Sequence, residues 1–170
     1  IYLQHLMFHA TPLLWRLHKV HHSDPDLDVT RGFRFHPMEI ILSLAIKTAG
    51  IMVLGANPLG VMIFEILLNA GSLFNHSNMA IPPPIEKVLR WVLVTPKVHL
   101  IHHSTEASET NSNFGFTISL WDRIFGTFRN QPGPKVFTIG LTEYPDPDQL
   151  GIGRLLVMPF ENKSQSYSLS

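Results

Sequence analysis

The chain has no cysteine among its 170 residues. That removes disulfide frameworks, thiolate zinc sites and iron–sulfur clusters together. It also lacks a surplus of either charge: 13 Lys and Arg stand against 13 Asp and Glu, a formal net charge of +0. No basic excess is present to hold nucleic acid, and no acidic block to solvate a tail. No secretory leader is visible. The chain opens at Ile1 directly into a patterned apolar segment, which reads as a domain cut from a longer chain. Charge is scarcest in the middle, where Glu39, Lys47 and Glu65 are the charged residues between Pro37 and His76. Histidine is missing from everything after His103, although the chain holds ten.

The apolar pattern predicts helices. Ile1 to Ala10 reads as the end of an apolar helix. Thr11-Pro12 then starts another, with Thr at the N-cap and Pro at the first helical position, running to about His22. Ser23-Asp24-Pro25 breaks it. Asp24, Asp26 and Asp28 alternate as in a calcium loop, but Val29 stands where that loop needs glycine and Phe35 where it needs its closing Glu. A solvated acidic loop is the reading. Met38 to Ala56 and Pro58 to Phe74 each approach the ~20 residues that cross a hydrocarbon core. They read as a transmembrane hairpin around Gly55-Ala56-Asn57-Pro58. Lys47 is its difficulty, since a lysine at mid-bilayer costs roughly 2.5–3.5 kcal/mol. It is expected to snorkel or to face the bundle interior. Arg16, Lys19, Arg31 and Arg34 precede the hairpin and Lys87, Arg90 and Lys97 follow it, which puts both ends on the cytoplasmic side.

Ile85 to Val94 is expected as an amphipathic surface helix, with Ile85, Val88, Leu89 and Val92 on one face and Trp91 at the interface. Pro96 is expected to end or kink it before a helical turn from His99 to Ser104. Trp121 to Phe128 reads as a short helix or docking segment, Gln131 to Pro134 as a turn, and Arg154 to Phe160 as a final apolar helix over the core. The expected fold is therefore all-α: a membrane-embedded helical bundle with a transmembrane hairpin, under a cytoplasm-facing helical cap. Residues 1–160 form the expected catalytic domain, truncated at its N-terminus, and 161–170 a flexible tail.

The chemistry lies in the histidines. His18, His21 and His22 form an HxxHH motif, and His99, His102 and His103 form a second. On a helix, positions three and four apart fall on one side, so each triplet converges. His5 and His9 make a further converging pair, and His76 sits just past the hairpin. Neutral imidazole is a good ligand for zinc, copper, iron and nickel. Nine imidazoles exceed the roughly six ligands of one first-row ion, so two metals with four or five imidazoles each are expected. His36, alone before Pro37, is as well explained by a helix start. The Glu-plus-Glu-x-x-His pattern of soluble di-iron bundles is missing, and Glu39 and Glu65 read as isolated.

HxxxH followed by two HxxHH motifs resembles the fatty acid hydroxylase/sterol desaturase superfamily of membrane oxygenases. The stretches PLLWRLHKVHH from Pro12, Phe35-His36-Pro37, Asn75 to Asn78, TPKVHLIHHS from Thr95, SNFG from Ser112 and WDRIFGT from Trp121 are similar too. Leu6 departs from the family, where an Arg is common. The resemblance covers about residues 1–130. It implies two iron ions, which zinc can replace, bound by His5, His9, His18, His21, His22, His76, His99, His102 and His103. It also implies O2 as co-substrate and a lipid or sterol-like substrate to be hydroxylated or desaturated. The electron donor is expected to be cytochrome b5-like or a ferredoxin with its reductase. Asn75, Asn78, Asn113, Asp122 and Glu106 are candidate partners for the imidazole N–H groups. The rival reading is a non-catalytic, histidine-rich metal-binding membrane protein. A transporter would set its ligands inside the hydrophobic spans, whereas here the triplets flank them.

Overall fold

The computed structural model describes residues 1–26, 28–133 and 136–161. Among these the chain is all-helical, and its strand-like pairings are isolated bridges at Leu93–Ile118 and Ser104–Ile139. Helices α1 (Tyr2–Ala10) and α2 (Pro12–His22) pack against each other on either side of Thr11. Thr11 occupies the N-cap position without a side-chain cap bond. Its extended backbone and Pro12, which has no N–H to continue α1, are what start the new helix.

The loop that follows is less solvated than its aspartates suggest. Asp24 is buried and pairs with Arg34 at 2.9 Å, and Asp28 caps a 3-10 helix over Val29–Phe33 through Thr30 N at 2.6 Å. Short acids serve as turn and cap acceptors here, which a spacing argument does not distinguish from solvation.

Helices α3 (Pro37–Leu54) and α4 (Pro58–Asn75) form the hairpin. His36 caps α3, its Nδ1 accepting from Met38 N at 3.2 Å, and Asn57 caps α4 by accepting from Leu59 N at 2.9 Å. Gly55 ends α3 at φ 60°, a left-handed conformation that suits a residue without Cβ. Both helices are long and apolar enough to cross a membrane. Only 6% of the first span and 17% of the second is buried, the reverse of a soluble core helix.

Lys47 lies neither at the surface nor alone. Its Nζ donates to both Glu65 oxygens, at 2.6 and 2.8 Å, joining α3 to α4. Glu39 is not isolated either, since it meets His18. These pairings cross between elements, so no linear spacing announces them.

Helix α5 (Pro83–Leu89) is shorter than expected, because the chain after Arg90 turns to pair with the loop near Ser119, whose N–H donates to Val92 O at 3.0 Å. Its apolar face turns outward, in keeping with the expected surface helix. Glu86 is buried and accepts from Thr95 and Arg90, while Ile85, Val88, Trp91 and Val92 are exposed. Pro96, expected as a breaker, opens α6 (Pro96–His102) under a Thr95 cap. Short helices α7 (Ala107–Thr110) and α8 (Leu120–Ile124) lie in the loop region, and α9 (Ile152–Val157) runs into a 3-10 turn, Met158–Phe160. That last segment covers the core: Met158 packs with Trp15, Val20, Leu141, Tyr144 and Leu150. Glu161 bonds Tyr144 and Arg154. The rest of the expected tail, and Pro134 of the expected turn, fall outside the described residues.

Replacing Lys47 by Met strands the Glu65 carboxylate among apolar neighbours, at a cost on the order of 2.5–3.5 kcal/mol. We expect Lys47→Met to lower the thermal midpoint of the protein in detergent or nanodiscs, and Lys47→Met with Glu65→Leu to recover it. A single variant as stable as the parent contradicts the pairing.

Candidate metal centre

Nine histidine side chains converge in the buried interior where α1, α2, α6 and the end of α4 meet. His5, His9, His18, His22 and His102 form one group, and His21, His76, His99 and His103 a second. Within each group the candidate ligand atoms lie within 4.8 Å of one another. The groups touch: the His22 and His103 rings stack at 4.4 Å and His18 and His21 lie at 5.3 Å. Each HxxHH triplet is divided between the groups, because consecutive helical positions diverge by about 100°. His36 stays apart. Besides capping α3, its Nε2 donates to Leu156 O at 3.2 Å.

What orients the rings is mostly backbone. A carbonyl or carboxylate oxygen can only accept, so a ring nitrogen facing one carries the proton. His5 Nδ1 donates to Phe114 O at 2.8 Å, His102 Nδ1 to Ser112 O at 2.8 Å, His76 Nδ1 to Ser72 O at 2.7 Å and His21 Nδ1 to Arg34 O at 3.3 Å. His18 Nδ1 donates to Glu39 Oε1 at 2.6 Å, and His9 Nδ1 faces Asn111 Oδ1 at 3.3 Å.

The SNFG stretch thus supplies two of these acceptors from one rigid turn. Asn113, at φ 53°, is pinned by its own amide to Val98 O, Arg129 O and Arg129 N at 3.0, 3.0 and 2.8 Å. Its neighbours on both sides then present their carbonyls to His102 and His5. Asp122 fastens the same turn through Gly115 N at 2.8 Å and Thr127 Oγ1 at 2.7 Å. A Cβ on Gly115 would stand 2.5 Å from Asp122 Oδ2, so this position needs glycine.

Of the side chains singled out in the sequence as partners for imidazole, Asn113 and Asp122 therefore act through the loop. Asn75 donates to Phe116 O at 2.6 Å, Asn78 is exposed, and Glu106 sits at the start of α7. Sequence reasoning missed Glu39 and Asn111. Glu39 is the third residue of α3, two after Pro37, where an acid also favours a helix start, and nothing in the spacing distinguishes that role from the bond to His18.

Where Nδ1 donates to such an acceptor, Nε2 is a bare lone pair. His76 Nε2 and His21 Nε2 are 3.1 Å apart, as are His5 Nε2 and His18 Nε2. His99 Nε2 lies 3.0 Å from His76 Nε2 and 3.1 Å from His103 Nε2, while the Nδ1 atoms of His99 and His103 are buried without a partner. Bare lone pairs at that range repel, and a proton is a poor remedy. Burial pushes His5, His9, His21, His22, His99 and His103 well below the usual imidazole range, His76 to about 4 and His102 to about 3. Neighbouring imidazoles add to the depression at His5, and the buried Arg31 guanidinium at His103. His9 Nε2, His22 Nε2 and His102 Nε2 are buried without a partner. A multivalent cation satisfies all of these atoms. Nitrogens at right angles around a first-row ion, about 2.0–2.1 Å from it, lie about 3 Å apart.

A hydrophobic shell closes the interior. Phe8, Trp15 and Phe114 are buried against the rings, and Phe35 stacks on His21 at 4.3 Å. One cleft of about 210 Å³ reaches His5 and His18 from between α3 and α4.

The sequence model of the family called fatty acid hydroxylase matches residues 1–127. Ornithine lipid hydroxylase OlsE of Rhizobium tropici is 33% identical over 84% of this chain and 42% of its own length. Alkylglycerol monooxygenase of Xenopus tropicalis is 28% identical over 81% of this chain and 29% of its own. Cholesterol 25-hydroxylase of Mus musculus is 26% identical over 79% and 45%. The chain spans less than half the length of each of these relatives. No solved structure matches it.

Glu39→Gln keeps the shape at His18 but removes the carboxylate. We expect metal affinity to fall about 10–100-fold with helical content unchanged by circular dichroism. Unaltered affinity would mean that Glu39 serves only the start of α3. For protein stripped of metal, the depressed imidazoles set the sign of the acid response. The unfolded chain takes up protons below about 6.5 while His76 stays neutral to about 4 and His102 to about 3. Stability is then complete above 6.5 and declines as pH falls through that window. A thermal midpoint that rises on acidification contradicts the burial of neutral rings.

Proposed function

The chain belongs to the fatty acid hydroxylase family, and from that premise we propose that it carries the di-iron centre of a membrane enzyme that hydroxylates an unactivated C–H bond of a lipid. The observation that carries the reading is the convergence of buried Nε2 atoms at 3.0–3.1 Å from separate segments. Its chemical counterpart is the donor set. Imidazole without thiolate or direct carboxylate suits a redox-active first-row ion. His5, His9, His18, His22 and His102 would hold one ion, and His21, His76, His99 and His103 the other. Zinc fits the same donors and can replace iron during expression.

Bound there, iron supplies the reduction of O2 and the oxidation of a C–H bond that no side chain in the chain can perform. In the overall reaction one oxygen atom enters the C–H bond and the other leaves as water. Two protons are consumed with two electrons from a separate donor, a cytochrome b5-like protein or a ferredoxin with its reductase. The chain's own residues orient and exclude. Ser112 and Phe114 carbonyls and the Glu39 carboxylate fix the proton at Nδ1 of His102, His5 and His18, which leaves each Nε2 free to bind. Phe8, Trp15 and Phe114 keep water from the inner face. The cleft beside His5 and His18 is an approach through which a lipid at the hairpin would reach this centre.

The lipid character of the substrate has support from the relatives' names, which include an ornithine lipid hydroxylase and an alkylglycerol monooxygenase. A membrane setting has support from the two apolar, outward-facing spans. Because His21 precedes the hairpin and His76 follows it, both hairpin ends lie on the side of the metal centre. The flanking Arg16, Lys87 and Lys97 favour the cytoplasmic side.

A full-length preparation grown with iron is expected to carry close to two metal ions per chain. Cells producing it are expected to accumulate a lipid with one added oxygen, found by mass spectrometry of total lipids. His102→Ala should abolish that product and reduce the metal content. Retained turnover in His102→Ala would refute the ligand assignment.

A further inference from the structure

Apart from Thr48 and Asn75, the polar side chains of the two spans are not scattered. On α3, Glu39, Ser43 and Lys47 recur every four residues. On α4, Glu65, Asn69, Ser72 and His76 follow at steps of four, three and four. Each set is one stripe on its helix. Glu39, Ser43, Lys47, Glu65, Asn69 and Ser72 line the cleft that reaches His5 and His18, together with apolar side chains that include Phe8, Phe35 and Phe116. Gln4 of α1 joins them, its Nε2 donating to Ser43 Oγ at 2.8 Å. A second cleft of about 420 Å³ continues from Gln4 and Lys47 toward the hairpin turn. Past Lys47 its lining holds no polar side chain, with Ile51, Leu54, Val61 and Phe64 beside Gly50 and Gly60.

The path from the histidines is therefore mixed at first, with every polar side chain in its near part, and wholly apolar afterwards. Lys47 lies eight residues beyond Glu39, about 12 Å along the helix axis. An amphiphile in this path seats its polar group between the histidines and Lys47, and its tail in the far cleft. The reverse order would bury a polar head among aliphatic side chains with no partner, and that costs free energy. The Lys47 ammonium and Glu65 carboxylate, already in contact, offer one partner for each sign of charge. Within the lipid-oxidising reading, on which this step rests, we propose that Lys47 and Glu65, with Gln4, Ser43 and Asn69, form a head-group subsite for a lipid whose compact head carries both charges. The C–H bond oxidised is then one in or next to the head, not one at the end of the tail.

The test reads orientation, not turnover. Two single-chain zwitterionic phosphocholine lipids are prepared, one with a photoreactive diazirine on the carbon next to the head and one with it at the tail end. Each is irradiated with the full-length protein in nanodiscs, and the labelled residues are mapped by peptide mass spectrometry. The head-proximal probe is expected to label around Phe35 and Phe116, and the tail-end probe around Ile51 and Val61. Lys47→Met/Glu65→Leu should lower head-proximal labelling about tenfold, as expected for losing charge-assisted bonds, with metal content unchanged. Ser43→Ala, which disturbs the fold least, should lower it by a smaller factor. The reversed pattern, absence of labelling in either cleft, or labelling indifferent to all these substitutions overturns the subsite. So does a sterol diazirine that labels Phe35 and Phe116 equally in parent and double variant. Correct labelling in a protein whose cells make no oxygenated lipid would leave the subsite standing and sink the oxidative reading.

Discussion

The structure depends on a set of hydrogen bonds that look minor: those at the Nδ1 atoms. An imidazole is an ambidextrous ligand until one nitrogen is given a partner. Carbonyls of Phe114, Ser112, Ser72 and Arg34, and the Glu39 carboxylate, give five rings that partner on the outer side. The inner side is then committed to lone pairs. Without such acceptors the same nine rings could relax into mutual hydrogen bonds, each N–H pointing at a neighbour's nitrogen, and the interior would be a satisfied polar core. For those five rings the outer bonds oppose that relaxation, and they leave the inner lone pairs open to a cation. The elements that supply the acceptors are correspondingly rigid, and the SNFG turn is held from both sides by Asn113 and Asp122.

This division between ring and acceptor also explains what was legible in the sequence. The histidines, their helical spacing and the Thr11-Pro12 break could be read because each is local. The limits of α1 to α4 came within two residues of the pattern for the same reason. His36 could be explained as a cap because a cap is local too. The acceptors could not be read. A backbone carbonyl has no residue type, so Phe114 and Ser112 appear in the sequence only as neighbours of Asn113 and Gly115. Glu39 has a residue type but two reasons to stand where it does. Lys47 and Glu65 each looked like a defect in an apolar span until the hairpin brought them together. Helix α5 was placed correctly and measured wrongly, because its end is set by pairing with the distant Ser119 segment.

The two halves of the molecule solve opposite solvation problems. The metal centre hides polar rings from water, and its depressed imidazole basicity follows from that burial. The hairpin does the reverse, turning Ile40, Ile41, Leu59 and Leu67 outward where lipid is the fitting solvent. Helix α5 repeats the hairpin's logic at smaller scale, with Glu86 inside and Trp91 outside. Its exposed apolar side thus continues the lipid-facing surface beyond the spans, a setting to which aromatic residues at an interface are suited.

Between those halves lies the polar stripe of α3 and α4, and its cost limits what it can be for. A charged pair in a membrane span gains little over well-packed apolar residues, since desolvation offsets most of the attraction. Stability alone therefore does not account for Lys47 and Glu65. Nor does helix pairing, which small or apolar residues accomplish more cheaply. The stripe does have a consistent direction: it begins at Glu39, which holds His18, and ends where the apolar cleft begins. A feature that costs free energy, faces a cleft and connects the histidine cluster to a hydrophobic pocket is best understood through a molecule that would enter the cleft.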